Sequence, residues 1–186
     1  MNRNIKADYH DFSENQDLTI IILSDTHGVI DSKILELVEP ESLVLHAGDV
    51  MSGEVLDQLA LKAKKVIAVK GNNDTEYHWG RSFRGELNEL PDVVHIELHG
   101  GRLSMEHGHR VLDLSNYHGI LREKYWDSKA VVYGHTHIET LDVRETPWMI
   151  NPGASGKTRT HGGPSCMQLS ISAGEWTVQR HKFKTR

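Results

Sequence analysis

The chain has 186 residues, a formal net charge of −5, and 25% charged residues against 38% hydrophobic ones. That length suits a single domain with a sizeable core, and the charged fraction is too ordinary for disorder. The acidic balance argues against general nucleic-acid binding, which needs a basic stripe. One cysteine, Cys166, excludes a disulfide framework and a four-cysteine zinc site, and fits a cytoplasmic location. No stretch approaches the roughly 18 apolar residues of a membrane span, and the first residues hold no apolar signal region.

Residues 1–17 are polar and lack periodicity, which reads as a loose leader ahead of a single domain over 18–186. The run Leu-Thr-Ile-Ile-Ile-Leu at 18–23 is continuously apolar and predicts a strand buried on both faces. It stops at the polar turn Ser24-Asp25-Thr26-His27-Gly28, before a helix expected over 32–38. A strand at 43–46 ends at Ala47-Gly48-Asp49, a helix follows at 53–62, and a strand at 65–69 ends at Gly71-Asn72-Asn73-Asp74. Three strand–loop–helix units in succession indicate parallel strands, and ligands of such sheets bind beyond the strands' carboxyl ends.

The second half changes character. Strands at 93–98 and 102–107 flank His99-Gly100-Gly101, a hairpin signal. A helix is expected over 117–125 and a strand over 130–133, ending at Gly134-His135-Thr136-His137. Segments 138–143 and 148–150 bracket a turn with Pro147, a loop spans 151–156, and a last hairpin turns near Ala173-Gly174. Together these elements predict an α/β fold in which two mixed sheets pack as a sandwich with helices outside, a four-layer αββα arrangement.

Five polar clusters each follow a predicted strand: Asp25-Thr-His27, Gly48-Asp49, Gly71-Asn72-Asn73-Asp74, His107-Gly-His109 and Gly134-His135-Thr-His137. Carboxylate, amide and imidazole groups without thiolate suit divalent ions such as Mn, Fe, Co, Ni or Zn. Any one cluster alone is an ordinary turn. In order and spacing, the five resemble the calcineurin-like metallophosphoesterase superfamily, in which Asp-x-His, Gly-Asp, Gly-Asn-x-Asp/Glu, a later His and Gly-His-x-His follow one another. The resemblance covers residues 18–155. The short chain and its Gly-Asn-x-Asp form look most like the small prokaryotic phosphodiesterase branch, which includes the Vps29-like proteins.

The resemblance implies two divalent ions, manganese first among them. One would be held by Asp25, His27 and His137, the other by Asn72, His107 and His135, with Asp49 shared between them. It also implies a phosphodiesterase that cleaves small or nucleotide-like phosphodiesters through a metal-bridging hydroxide. A silent protein-binding scaffold on the same fold is the alternative, and a homo-oligomer remains open. Many family members carry His after the Gly-Asn asparagine; here it is Asn73, which cannot deliver a proton at neutral pH. His109 is either its substitute or a group that orients His107. Asp74 is expected to orient neighbours or cap a helix. Arg159, in a basic glycine-rich loop, either forks onto phosphate or is simply solvated. His46, His95, His99, His118 and His161 have no motif support. The run His135-Thr-His137-Ile138-Glu139 does not continue as a metallo-β-lactamase motif, and no Gly-x-Gly-x-x-Gly marks a dinucleotide fold.

Overall fold

The computed structural model describes residues 5–184. Its strands are β1 (Ala7–Phe12), β2 (Asp17–Leu23), β3 (Leu43–His46), β4 (Lys65–Ala68), β5 (Val93–Leu98), β6 (Gly101–Glu106), β7 (Ala130–Val132), β8 (Thr140–Asp142), β9 (Trp148–Asn151), β10 (Ser165–Ser172) and β11 (Glu175–Lys182). The helices are α1 (Ser32–Glu36), α2 (Gly53–Ala60), α3 (Glu76–Trp79), α4 (Arg84–Glu89) and α5 (Tyr117–Lys124). One sheet has the order β11-β10-β2-β3-β4 and the other β1-β5-β6-β7-β9-β8. Strands β2, β3 and β4 run parallel, as the repeated strand–loop–helix pattern predicts.

Alternate side chains explain the layering. Ile20 and Ile22 of β2, Leu43 and Leu45 of β3, and Met167 and Leu169 of β10 face Val94, Ile96, Leu103, Met105 and Val132 of the opposite sheet. This apolar slab is the sandwich core. On the other side of the five-stranded sheet, Ile21, Leu23 and Val44 pack against Ile34 of α1, Val55 and Leu59 of α2, Trp79 of α3 and Leu87 of α4. The outer face of the six-stranded sheet meets α5 through Val131, Met149, Tyr117, Leu121 and Tyr125. The expected four-layer αββα sandwich is therefore the fold, and the continuous apolar run of β2 reflects burial on both faces.

Three elements differ from the sequence reading. Residues 7–12 are not a loose segment: they form β1, paired in parallel with β5 from Ala7–Val93 to Phe12–Leu98. Four of the six β1 side chains are exposed, so the strand carries no apolar alternation to betray it. Residues 1–4 of the expected leader lie outside the described residues. The short helices α3 and α4 were also not expected; each buries a single residue, Trp79 and Leu87 respectively.

The two sheets end their polar loops at a common edge. The loops after β2, β3 and β4 come from the five-stranded sheet, and those after β6 and β7 from the six-stranded one. Because half-buried Phe12 packs against the sandwich core, Phe12→Ala is expected to lower the unfolding free energy by about 1–2 kcal/mol. Urea denaturation measures this; an unchanged midpoint would mean that β1 adds nothing to the core.

Candidate metal centre

The loop after β2 is pinned to the loop after β3 by backbone bonds. Asp25 N–H donates to Gly48 O at 3.0 Å, His27 N–H to Asp49 O at 3.0 Å, and Gly28 N–H to Val50 O at 2.8 Å. The six-stranded sheet joins in through the His135 N–H, which donates to Asp25 Oδ2 at 3.1 Å, and its own two loops are tied by Gly134 N–H to His107 O at 3.1 Å. Under these restraints Asp25, His27, Asp49, His135 and His137 all adopt positive φ, between 48° and 66°. Non-glycine residues pay for that region with strain, which persists where the surroundings over-determine it and which concentrates at functional sites. Two glycines are needed for closeness. A Cβ on Gly71 would strike the Asp49 carboxylate and backbone, and one on Gly134 would strike Ser24 Oγ and Asp25 Oδ2.

Asp25, Asp49, His107 and His137 are buried, while His27 and His135 are half-buried. The Asp25 carboxylate has two unlike oxygens. Oδ2 accepts from Ser24 Oγ at 2.7 Å and from the His135 N–H at 3.1 Å. Oδ1 accepts no hydrogen bond, yet lies 3.2 Å from His137 Nε2 and 4.0 Å from both His27 Nε2 and His107 Nε2. Asp49 Oδ2 lies 3.4 Å from His107 Nε2 and 3.8 Å from His27 Nε2. His27 Nε2 and His137 Nε2 are only 3.1 Å apart.

The far sides of the rings decide what those nitrogens offer. His107 donates its Nδ1–H to Ala47 O at 2.7 Å, and His137 donates Nδ1–H to Thr158 O at 3.2 Å. In its neutral form each ring would turn an Nε2 lone pair toward Asp25, lone pair facing lone pair, and that of His137 also faces the Arg159 guanidinium. A positive charge between them relieves that opposition, and imidazoles oriented by a backbone carbonyl are typical metal ligands. Two groups of three ligand atoms are close enough to hold an ion: Asp25, His27 and His137, and Asp25, Asp49 and His107. The orphaned Asp25 Oδ1 and His107 Nε2 fit a divalent cation.

The same field shifts protonation. Burial works to raise Asp25 and Asp49, but the imidazoles, His137 and His107 foremost, hold both carboxyls below the usual range. Burial opposes charge on His107, yet its contact with Asp49 and the charge of Asp25 raise it above an ordinary histidine. His135 goes the other way, lowered by burial and by His107.

The remaining expected residues separate. His135 joins the cluster with its ring 5.3 Å from that of His107. His109 stands 5.5 Å from the His107 ring, and burial with His107, Arg110 and His135 pushes it down to about 4. It is therefore neutral at pH 7. Arg159 is exposed but reaches in, donating from a guanidinium nitrogen to His137 Nε2 at 2.8 Å. Asn72 is exposed and lines a neighbouring groove. The amide against the carboxylates is that of Asn73, which donates Nδ2–H to Asp49 Oδ2 at 2.7 Å and its backbone N–H to Oδ1 at 2.8 Å. Asp74 plays the orienting part expected of it, accepting from Met51 N, Gly71 N and Trp79 Nε1.

Three supports escaped the sequence reading. Met51 places its sulfur 2.9 Å from His27 Nδ1. Asn151 Nδ2 donates to Gly134 O and Thr136 Oγ1, which props the His135–His137 turn. His46 is buried beneath the loops, with its Nε2 3.0 Å from Thr26 Oγ1; that hydroxyl donates to Val50 O at 3.1 Å. A buried histidine at the end of an apolar strand was the available signal.

A cluster of this composition at the strand ends of an αββα sandwich defines a metal-dependent hydrolase class. The chain belongs to the calcineurin-like phosphoesterase superfamily, whose domain pattern matches residues 18–174. It is 29% identical over 145 residues to a phosphodiesterase of Methanocaldococcus jannaschii, covering 73% of this chain and 83% of that protein. A solved archaeal phosphodiesterase superposes with a TM-score of 0.65 at 27% identity, covering 88% of this chain and 100% of the other. Vacuolar Protein Sorting 29 from Cryptosporidium parvum shares the fold, with a TM-score of 0.71 at 20% identity over 92% of this chain and 100% of the other. Divalent metal use follows from the family together with the Asp and His set. Among the described residues no helix is long and apolar enough to cross a membrane.

His46 also makes the fold sensitive to acid. Burial lowers it from 6.5 to about 4, so the unfolded chain binds the extra proton first. Stability is then lost as pH falls below 6.5, and this loss levels off near 4. In chelator, His46→Asn is expected to flatten the pH slope of the unfolding free energy in that window. An unchanged slope would clear His46 of the effect.

Proposed function

We propose that the chain is a phosphodiesterase that uses two divalent ions, manganese foremost with zinc, iron, nickel or cobalt as substitutes, to hydrolyse small or nucleotide-like phosphodiesters in the cytoplasm. The observation that carries this reading is the unpartnered Asp25 Oδ1 facing imidazole nitrogens from both sheets, His27 from one and His107 and His137 from the other. Asp25, His27 and His137 would hold one ion. His107 and His135 would hold the other, with the exposed Asn72 turning its amide inward to join them and Asp49 between the two. In support, Asp49 Oδ2 lies within 3.8 Å of a ring nitrogen from each set. We take residues 18–186 as one domain, to which β1 adds an edge strand.

Bound there, divalent ions supply Lewis-acid polarisation of the phosphoryl oxygens and a lowered pKa for water. The chain's own groups do the rest. Arg159 offers a two-pronged donor to a phosphoryl oxygen pair once its bond to His137 is exchanged for substrate. Asn73 fixes the rotation of Asp49 through two donated hydrogen bonds. His109, neutral at pH 7, gives an N–H hydrogen bond toward the leaving oxygen or steadies His107. None of these groups is a strong acid, so the leaving group must depart with little proton help. Aryl diesters should be better substrates than alkyl ones.

Two measurements test the reading. Purified protein is assayed with mono- and diester substrates under added manganese, with and without chelator. Chelator should abolish diester hydrolysis and metal restore it; absence of turnover under every ion would favour a binding scaffold. In parallel, Asp49→Asn should lose metal content and activity together, and full retention of both ions would remove Asp49 from its shared position.

Asn73→His addresses the missing acid. General-acid contributions are about 10²–10⁴-fold, so the alkyl-to-aryl turnover ratio is expected to rise in this variant. A ratio that stays put would mean that leaving-group protonation does not limit the reaction.

A further inference from the structure

Beside the metal centre runs a groove of about 640 Å³. Its inner end is Asn72 and His109, its flank carries Lys70 and Arg110, and Ile5 and Leu90 give it an apolar side. The His109 ring, 5.5 Å from that of His107, joins the groove to the cluster.

The charges along this groove are not evenly answered. Glu76 pairs with Arg84 at 3.0 Å and Lys6 with Glu89 at 3.3 Å. Asp74 is buried and turned to three N–H donors. Asp92 pairs with Arg110 at 2.5 Å, takes the Lys6 backbone N–H at 2.9 Å, and also lies in the field of Lys70. Asp92 is thus already engaged by Arg110, and the Lys70 ammonium is left without a close carboxylate of its own. The half-buried Lys70 makes no ion pair or side-chain hydrogen bond among the described residues, two positions before Asn72.

We propose that this groove receives the leaving side of the substrate and that Lys70 binds a second phosphoryl group carried there. The preferred class is then a phosphodiester whose leaving portion bears its own phosphate, as in a phosphorylated dinucleotide, with a sugar or base resting on Ile5 and Leu90. The proposal rests on the reading of the neighbouring cluster as a phosphoesterase centre. Charge complementarity selects the occupant: an uncharged leaving group would leave the Lys70 ammonium without a partner.

The test compares the dinucleotide TpT with its terminally phosphorylated form pTpT, and thymidine monophosphate with thymidine bisphosphate. A charge-assisted contact predicts that kcat/KM for pTpT exceeds that for TpT by about tenfold. Lys70→Ala should bring this ratio toward one, Lys70→Arg should keep it, and rising salt should erode it. Calorimetry without added metal should show thymidine bisphosphate binding about tenfold weaker to Lys70→Ala than to the unaltered chain, with a smaller change for the monophosphate. If no ester is turned over under any divalent ion while bisphosphate binding still depends on Lys70, the subsite stands and the esterase reading falls. Equal bisphosphate binding by the two proteins overturns the subsite, whatever the turnover.

Discussion

Two buried carboxylates set the terms for this molecule. Asp25 and Asp49 are withdrawn from water at the seam of the sandwich, where an unanswered negative charge is costly. Hydrogen bonds from Ser24, the His135 backbone and Asn73 meet part of that demand. The rest falls on imidazoles, whose outer nitrogens are tied to carbonyls of Ala47 and Thr158 so that their inner nitrogens point at the carboxylates. The left-handed backbone of five cluster residues, the glycines that let loops touch, and the orienting Asp74 all serve this arrangement.

The parts of the fold that bury apolar surface were legible in the sequence. Strands β2, β3 and β4 and helix α2 announce themselves because each is a dense apolar or amphipathic run, with the polar loops falling between them. Strand β1 did not, since an edge strand with exposed Asp8, Tyr9 and Asp11 presents no alternating pattern. Helices α3 and α4 are too short for a periodicity of 3.6 residues to be read, and each is held by one buried side chain.

The candidate site shows a similar division. The Asp and His positions of the cluster were found because the motifs put them at strand ends, where convergence is a property of the architecture. Which of two adjacent asparagines turns inward is a matter of local torsion that residue type cannot settle, and the structure gives the carboxylate contact to Asn73 and solvent to Asn72. Met51 and Asn151 were invisible for another reason. Their roles lie in contacts across 24 residues to His27 and 17 residues to Gly134, which no local pattern encodes.

The cluster draws its loops from both sheets: Asp25, His27 and Asp49 from one, His107, His135 and His137 from the other. Besides the apolar slab, which is non-directional, it is one of the places where directed contacts hold the halves of the sandwich in alignment, as the Trp176 indole donating to His99 O does at another edge. Occupancy of the pocket and docking of the two halves are consequently coupled equilibria. Whatever clasps the loops tightens the whole sandwich, and a sideways slip between the sheets, however distant its origin, would be felt first as a loosened grip at this seam.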